Sequence, residues 1–353
     1  MRSQKPDIAV VLDPRFPGGT ASAVAQEIPV LKSLANVSVH GQTTMMFKDN
    51  TPNPALKTAL LQTGSEIIWD SPKITADLIL YHNPSALKFD TEMHTKMVSQ
   101  NLIVVTHENF NNPDGSLSFD VEGCLEKLDA ASLNAAKYLA PVSPYNRQTV
   151  ETWLEEDLLD WRLLSKNWFN ICDFEMQAPT NAPQDRRGRH SRPGFEKFPD
   201  QKTMELLYPP HALSNVILGG DIFNTSNPPT HWTLFDFRSR TVSDFLSDID
   251  FFVYFTNKNW RESFGRVFAE AISAGKLVIT DPETAQNFGD GVVGIAPQEV
   301  DARIKAFIND PKSYEDCVRE AQETLKSFSP ESFETQVKQI MNAMRDKGQK
   351  VAL

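Results

Sequence analysis

The sequence predicts an α/β protein of two domains, each with an open sheet of parallel strands. The chain has 353 residues, more than the roughly 100–200 of a usual single domain. In both halves short apolar segments alternate with helical stretches, which is the pattern of parallel strands joined by crossover helices. A segment rich in Pro, Arg and Gly at 177–200 separates the halves. We therefore place a first domain at 1–170, a second at 171–330, and a C-terminal helix at 331–353 that returns to the first domain.

The first half begins with a strand, a glycine-containing loop and a helix. The apolar run 7–13 predicts a strand, and PRFPGGT (14–20) breaks it. Residues 21–35 then carry apolar side chains at helical spacing. Three further strands are predicted at 76–82, 101–110 and 137–143. A helix is predicted at 123–137, between the last two of them.

The second half repeats this alternation. A helix is predicted to begin near Ser263, because apolar residues recur at helical spacing from there on. The tail is predicted as two helices broken at Pro330, with Ser329 as the candidate N-cap. The predicted strands of this half lie at 215–220, 250–255, 276–280 and 291–295.

Composition excludes several classes of protein. The 46 acidic and 35 basic residues give a net charge of -11, and so acidic a chain repels nucleic acid. Its three cysteines are odd in number and widely spaced, which argues against a disulfide framework or a zinc site. No apolar run approaches the ~20 residues that span a bilayer, so we expect a cytoplasmic protein without a transmembrane segment, though peripheral membrane contact stays open.

Two acids, Glu262 and Glu270, bracket a Phe264-Gly265 pair at the predicted start of the helix in the second half. Free N–H groups at a helix start attract anions, and a glycine lets a phosphate approach the backbone closely. Glu270 would then reach a ribose diol, and Glu262 would border the group at the other end of the diphosphate. The alternative is that both acids merely complement the helix dipole.

The stretch ESFGRVFAEAISAGKLVIT, beginning at Glu262, resembles the glutamate-x7-glutamate segment of retaining GT-B glycosyltransferases of glycosyltransferase family 4. The resemblance covers most of the chain, in the order that the family shows. It includes a glycine loop, two histidine-bearing strand ends, the last strand of the first domain and the C-terminal helix, in FPGGTASAVAQ, DLILYHNP, IVVTHENF, APVSPYNR and FSPESFETQVKQI.

This resemblance implies two facing Rossmann-like domains. The C-terminal one would hold a nucleotide-sugar donor, and the N-terminal one a saccharide, glycolipid or other hydroxyl acceptor. The family implies transfer with retention of configuration, in which the leaving phosphate helps to deprotonate the acceptor hydroxyl. It also implies no metal and no cofactor besides the donor substrate. Bacterial cell-surface or exopolysaccharide assembly is a common setting for such enzymes.

Carried over to this sequence, the resemblance assigns donor contacts residue by residue. Glu270 would bind the donor ribose, and Glu262 the hydroxyls of the donor sugar. Backbone groups of Phe264 and Gly265 would lie near the diphosphate. The Gly18-Gly19 pair would line the donor phosphate from the other domain.

A histidine of the first domain is also implied. His107 matches the family histidine that lies close to the transferred sugar, where an imidazole can hydrogen-bond a hydroxyl or the developing charge. His82 is explained equally well as a loop histidine, so we predict no catalytic role for it.

Cations that neutralise the leaving diphosphate are expected in RRGRHSRPGFEKFPD, which departs from the family spacing. Arg189 follows the glycine as the family arginine does, whereas Arg192 has the usual interval to Lys197. We expect Arg192 and Lys197 to act, and keep Arg189 as a donor-binding candidate. Fixed positive charge there stabilises the diphosphate more in the transition state than in the ground state.

Three other functions are alternatives. A nucleotide-sugar epimerase or a phosphorylase could share the fold, and an epimerase would need no acceptor. A non-catalytic scaffold could have kept the nucleotide pocket. A nicotinamide dehydrogenase is disfavoured, because PGGTAS lacks the G-x-G-x-x-G fingerprint.

Overall fold

A computed structural model describes residues 5–49, 51–155, 160–223 and 227–345. The chain divides into two compact units. The first unit consists of two segments, one that ends at Ile171 and one that begins at Phe328. The second unit comprises Cys172–Ser327. Residues 346–353 of the predicted C-terminal helix lie outside the described part of the chain.

The first unit is built on seven strands, all paired in parallel, in the order β3-β2-β1-β4-β5-β6-β7. Its elements up to residue 163 are β1 (Asp7–Leu12), α1 (Gly19–Leu34), β2 (Asn36–Gly41), α2 (Pro54–Gln62), β3 (Ile67–Trp69), β4 (Lys73–His82), β5 (Lys96–Thr106), α3 (Val121–Ala130), β6 (Ser132–Pro141), α4 (Pro144–Leu154) and β7 (Arg162–Leu163).

Strand β1 shows why this sheet forms. Its sequence DIAVVL is apolar without alternation, and all its residues after Asp7 are buried. Such continuous burial is typical of a parallel strand covered on both faces. The strand order reverses direction between β1 and β4, so loops leaving these two strands diverge and open a crevice at the carboxyl edge.

The second unit is built on six parallel strands in the order β10-β9-β8-β11-β12-β13. Its elements are β8 (Arg186–His190), α5 (Gln201–Leu207), β9 (Ser214–Leu218), β10 (Thr233–Phe235), α6 (Val242–Ser247), β11 (Phe251–Val253), α7 (Arg266–Ser273), β12 (Leu277–Thr280), α8 (Pro282–Ala285), β13 (Val293–Gly294), α9 (Val300–Asn309) and α10 (Pro311–Lys326).

The last helix, α11 (Pro330–Arg345), belongs to the first unit. The backbone N–H of Ser332 donates to Ser329 Oγ at 3.2 Å, which confirms the predicted N-cap. Phe333 packs edge-on against Trp168, with ring centres 5.2 Å apart. Gln336 donates to the carbonyl of Asn167 at 2.9 Å. These contacts fasten the helix to the segment that follows β7.

Three predicted elements differ from the structure. The helix predicted over 123–137 ends at Ala130, and β6 begins at Ser132. The long helix predicted ahead of Pro330 is two helices, because Pro311 starts α10 where α9 has ended. The Arg-rich segment taken as a linker contains β8, a central strand. No helix in the described part of the chain has the length and apolar character needed to cross a membrane.

Candidate functional site

The carboxyl edge of the second sheet carries most of the polar side chains that the sequence singled out. Strand order reverses between β8 and β11, and open parallel sheets bind ligands beyond the strand ends at such a point. The segments 191–200 and 254–265 leave these two strands at this edge. Their side chains therefore define the candidate site of the second unit.

A lysine, a glutamate and a tyrosine meet there. Lys197 Nζ donates to Glu262 Oε1 at 2.8 Å, and the Tyr254 hydroxyl donates to the same oxygen at 2.7 Å. The ammonium lies 3.9 Å from the centre of the Trp260 ring, which is a favourable cation–π distance. Burial lowers the pKa of Lys197, and the neighbouring Glu262 opposes this shift. Two predicted site residues are thus in direct contact, although 65 positions separate them in sequence.

Arg189 lies beneath this cluster with no exposed surface. Its guanidinium is stacked between the rings of Phe198 and Tyr254, at 4.1 and 4.3 Å from their centres. It donates to the carbonyl of Phe255 at 2.7 Å and to the carbonyl of Lys197. Arg189 therefore supports the segment that carries Lys197. This burial argues against the direct diphosphate contact that its position after the glycine predicted.

Arg192 lies at the rim of the same loop. Its side chain is 49% exposed and pairs with Glu196 at 2.7 Å. The spacing favoured Arg192 together with Lys197 as the diphosphate cations. In the structure, Lys197 is the member of this pair that contacts Glu262.

Helix α7 begins at Arg266, later than predicted, and its first turn is shaped by a glycine. Gly265 precedes the helix with a φ of 93°, a left-handed conformation that favours glycine. A β-carbon on Gly265 would lie 2.5 Å from the Phe268 ring. The side chain of Phe264 is buried, so a ligand would meet the backbone of this segment.

Replacing Gly265 with alanine is expected to destabilise the protein. The change forces a β-carbon into a left-handed backbone and against the ring of Phe268, which costs about 2 kcal/mol. Urea unfolding measures this cost. Gly19→Ala is the matched control, since a β-carbon at Gly19 meets open space. Equal losses of stability in the two variants would contradict the role given to Gly265.

Glu270 lies on α7 between the side chains of Arg266 and His190. Its carboxylate oxygens are 3.4 Å from Arg266 Nε and 3.3 Å from His190 Nε2. Burial raises the pKa of Glu270, and Arg266 opposes the shift. Burial also lowers the pKa of His190 to about 3, with a smaller effect from Arg189, so this imidazole is neutral. Within the described residues, His190 Nε2 is buried without a hydrogen-bond partner. A ligand hydroxyl could satisfy groups of this kind.

A cavity of about 300 Å³ opens at the same edge of the second sheet. Its walls include Thr256, Asp281 and Ala296, which follow β11, β12 and β13. Arg261 ties the wall together, since its Nε lies 3.1 Å from Asp281 Oδ1 and 3.5 Å from Glu283 Oε2. The volume is at the lower end of the range for small-molecule sites.

The first unit presents its predicted site residues at the carboxyl edge of its own sheet. Gly18 and Gly19 stand between β1 and α1, with Gly18 at the N-cap. A β-carbon on either glycine would meet open space, so the start of α1 is open to a ligand. His82 ends β4, and His107 follows β5.

The two histidines are in direct contact and lead to a buried acid. His82 Nδ1 and His107 Nε2 are 3.0 Å apart, and His82 Nε2 is 3.5 Å from Glu27 Oε2 on α1. Burial raises the pKa of Glu27 to about 8, and the neighbouring Trp168 indole opposes the shift. Burial also lowers the pKa of His107 to about 3 and that of His82 well below its usual value. At neutral pH all three groups are therefore largely uncharged.

The role of this chain of groups follows from its geometry. Because both imidazoles are neutral, one must donate to the other along the 3.0 Å contact. The tautomer of His107 is therefore tied to that of His82. His82 Nε2 faces the Glu27 carboxyl group at 3.5 Å without a hydrogen bond among the described residues. His82 had no predicted role, and Glu27 was missed by the sequence reasoning.

One group of potential metal ligands among the described residues lies outside the candidate site. Asp185, His211 and Asp301 place ligand atoms within 4.8 Å of one another. Arg187 donates to Asp185 at 2.6 Å and to Asp301 at 2.7 Å, so a guanidinium already supplies positive charge between them. Asp185 precedes β8, at the opposite end of that strand from the candidate site.

Neither a protein-family model nor a curated protein sequence matches the chain. Solved structures do resemble it. HepE of Anabaena, crystallised with UDP and glucose, is 15% identical with a TM-score of 0.64, and the match covers 96% of this chain and 100% of HepE. TarM is 10% identical with a TM-score of 0.65, and coverage is 97% and 99%. An α-glucosyltransferase in complex with UDP-glucose and DNA containing an abasic site is 11% identical with a TM-score of 0.56, and coverage is 95% and 98%.

At such low identities the likeness shows the fold alone. The two sheets have the same strand order, a reversal between the first and fourth strands of each unit, as in Rossmann-like sheets. Together with the neighbours, this order shows that the chain has the GT-B fold, an α/β fold of two Rossmann-like units with a C-terminal helix, as the sequence predicted.

Proposed function

We propose that the protein is a glycosyltransferase that moves a sugar from a nucleotide-sugar donor to an acceptor hydroxyl. The observation that carries this proposal is the Lys197–Glu262 contact at the switch point of the second sheet, directly ahead of the left-handed Gly265 that opens α7. An ammonium and the start of a helix at one point suit a diphosphate. A carboxylate beside them suits the hydroxyls of a sugar.

In this proposal the donor lies along the second unit. Lys197 neutralises the diphosphate, and backbone groups of Phe264 and Gly265 contact it. Glu262 holds Lys197 and accepts hydrogen bonds from the donor sugar, while Glu270 accepts them from the ribose. The cavity of about 300 Å³ receives the base. The structures of HepE and the α-glucosyltransferase contain a uridine nucleotide, which makes uridine our first choice of base.

We propose transfer with retention of configuration. The bond between the anomeric carbon and the phosphate oxygen breaks as the acceptor oxygen bonds to the same face of that carbon. The acceptor proton passes to an oxygen of the leaving diphosphate, so no protein nucleophile is needed. Lys197 and the start of α7 supply the charge stabilisation, and on this basis the proposal needs no metal ion. The roles that the resemblance gives to His107, Gly18 and Gly19 of the first unit stay predictions.

The acceptor is proposed to be a saccharide or another hydroxyl compound, in bacterial cell-surface or exopolysaccharide assembly in the cytoplasm. The α-glucosyltransferase neighbour is a complex with DNA. The net charge of -11 on this chain makes DNA an unfavourable acceptor here, because the long-range field repels phosphate.

Binding of the donor nucleotide tests the proposal first. UDP at about 100 times its dissociation constant is expected to stabilise the protein by about 2.7 kcal/mol, measured as a thermal shift alongside the diphosphates of guanosine, thymidine and adenosine. Glu270→Ala should abolish the shift, because the ribose loses its carboxylate.

Glu205→Ala, on the exposed face of α5, is the control and should keep the full shift. No shift with any of the four nucleotides would contradict the proposal. If the protein converts UDP-glucose to its epimer in the absence of an acceptor, the proposed function is epimerisation and not sugar transfer.

A further inference from the structure

A second cavity, of about 320 Å³, lies in the first unit. It is walled by residues 42–44, which follow β2, and by residues 70–72, which follow β3. Leu87, Asp90 and residues 92–95 complete it. The volume is at the lower end of the range for small-molecule sites and suits a ligand of about one sugar ring.

The three threonine hydroxyl groups in this wall already donate their hydrogens within the protein. Thr43 Oγ1 donates to Asp70 at 2.8 Å, and Thr44 Oγ1 donates to Asp13 at 2.7 Å. Thr95 Oγ1 donates to a backbone carbonyl at 2.8 Å. Each hydroxyl oxygen can therefore only accept a further hydrogen bond.

The charged groups of the wall are acids. Asp70, Asp90 and Glu92 line the cavity, and no Lys or Arg is among its described lining residues. The exposed imidazole of His94 also lines it, 3.4 Å from Glu92 Oε1. Burial raises the pKa of Asp90, and the backbone N–H of Met45 opposes the shift. A carboxylate that has lost part of its hydration gains from a ligand that donates hydrogen bonds or carries positive charge.

An unpaired buried amide points to the same ligand chemistry. Gln42 is 7% exposed, and its Oε1 is a buried acceptor with no hydrogen-bond partner in the described residues. A buried acceptor without a partner costs free energy, because it has lost its hydrogen bonds to water. Because Gln42 lines the cavity, a hydrogen-bond donor on a bound ligand would remove that cost.

We propose that this cavity binds a saccharide that carries hydroxyl or amino groups but no phosphate or carboxylate, and that this saccharide is the acceptor. Its role as acceptor rests on the proposed function, whereas its binding does not. Ligand hydroxyls and ammonium groups meet acceptors on every wall. An anionic sugar meets three carboxylates and neither a Lys nor an Arg of the lining, so the cavity disfavours it.

Saturation-transfer NMR on the full chain tests this with three probes: methyl α-D-glucoside, D-glucosamine and D-glucuronate. The first two are expected to bind, and D-glucuronate to bind at least about tenfold more weakly. Glu92→Lys places a cation at the exposed side of the wall, so it should weaken D-glucosamine about tenfold and admit D-glucuronate. Gln42→Leu should weaken methyl α-D-glucoside, because it removes the unpaired acceptor.

Glu126→Lys is the matched control, since it makes the same charge change at an exposed position of α3 that does not line the cavity. Equal binding of D-glucuronate by the wild type would overturn the inference. The inference would also be overturned if the sugar signals are unchanged in Glu92→Lys and lost in Glu262→Ala. That result would place the sugars at the donor site.

Parallel thermal shifts with UDP separate this inference from the proposed function. A UDP shift without any sugar signal overturns the cavity assignment alone. Sugar signals with the expected response to the variants, but no thermal shift with any of the four nucleoside diphosphates, support the cavity assignment and contradict the proposed function.

Discussion

Lys197→Met is expected to lower kcat for sugar transfer from UDP-glucose by about 10²–10³-fold. The diphosphate gains negative charge as the glycosidic bond breaks, so a fixed ammonium stabilises the transition state more than the bound donor. Glu262 at 2.8 Å and the face of the Trp260 ring hold the Lys197 ammonium in place. The KM for UDP-glucose should change less than kcat, because the interaction strengthens mainly in the transition state. Steady-state kinetics with UDP-glucose measures both constants.

Two further variants make this result specific. Lys202→Met changes an exposed lysine on α5 and should leave kcat unchanged. Lys197→Arg keeps the charge and should restore part of the activity. Because Lys197→Met leaves Glu262 without its ammonium, the free energy of unfolding must be measured on the same samples. An unchanged kcat in Lys197→Met, or an equal loss in Lys202→Met, would mean that Lys197 does not act on the diphosphate.

The fold could be predicted from the sequence wherever the buried residues of a strand are apolar. Strand β1 and the last part of β5 (102–105) are continuous runs of apolar residues, which is typical of a parallel sheet covered on both faces. Strand β8 could not be found in this way, because its sequence is RRGRH. Arg187 and Arg189 are fully buried there. Arg187 is compensated by the nearby Asp185 and the distant Asp301, and Arg189 by the carbonyls of Phe255 and Lys197. The distant partners leave no local pattern in the sequence.

The candidate site was predictable in part. The helix after Gly265 and the acids on either side of it are local features, and their spacing is visible in the sequence. The contact of Lys197 with Glu262 depends on two loops that leave different strands. Spacing paired Lys197 with Arg192 and could not show that only Lys197 of this pair contacts Glu262. The same limit hid the pairing of His82 with His107.

Glu27 is a different case, because the sequence carried a signal that went unused. It lies four positions after Ala23 and four before Leu31, both of which are buried residues of α1. Residues four apart share one face of a helix, so Glu27 falls on the apolar face. A carboxyl group on such a face is costly to charge, and a neutral acid in contact with a histidine resolves the cost.

The stability of the protein should therefore depend on pH through Glu27. Its pKa is about 8 in the folded protein, against an ordinary value of 4.5. Because the folded pKa is raised, the full contribution of Glu27 is present below pH 4.5 and is lost as the pH rises to about 8. The loss is on the order of 5 kcal/mol of unfolding free energy. Glu27→Gln removes the titrating group and can still donate to His82, so this variant should gain stability over the wild type as the pH rises.

Urea unfolding at pH 5 and pH 8, followed by tryptophan fluorescence, measures the effect as a difference between the two proteins. His82 and His107 also titrate with lowered pKa values and act in the opposite sense, since protonating them opposes folding as the pH falls. Their contribution is common to both proteins and largely cancels in the difference. Glu122→Gln, at an exposed position of α3, should show no such change with pH. A constant difference between Glu27→Gln and wild type would mean that Glu27 stays ionised when folded, and the neutral chain to His107 would then be wrong.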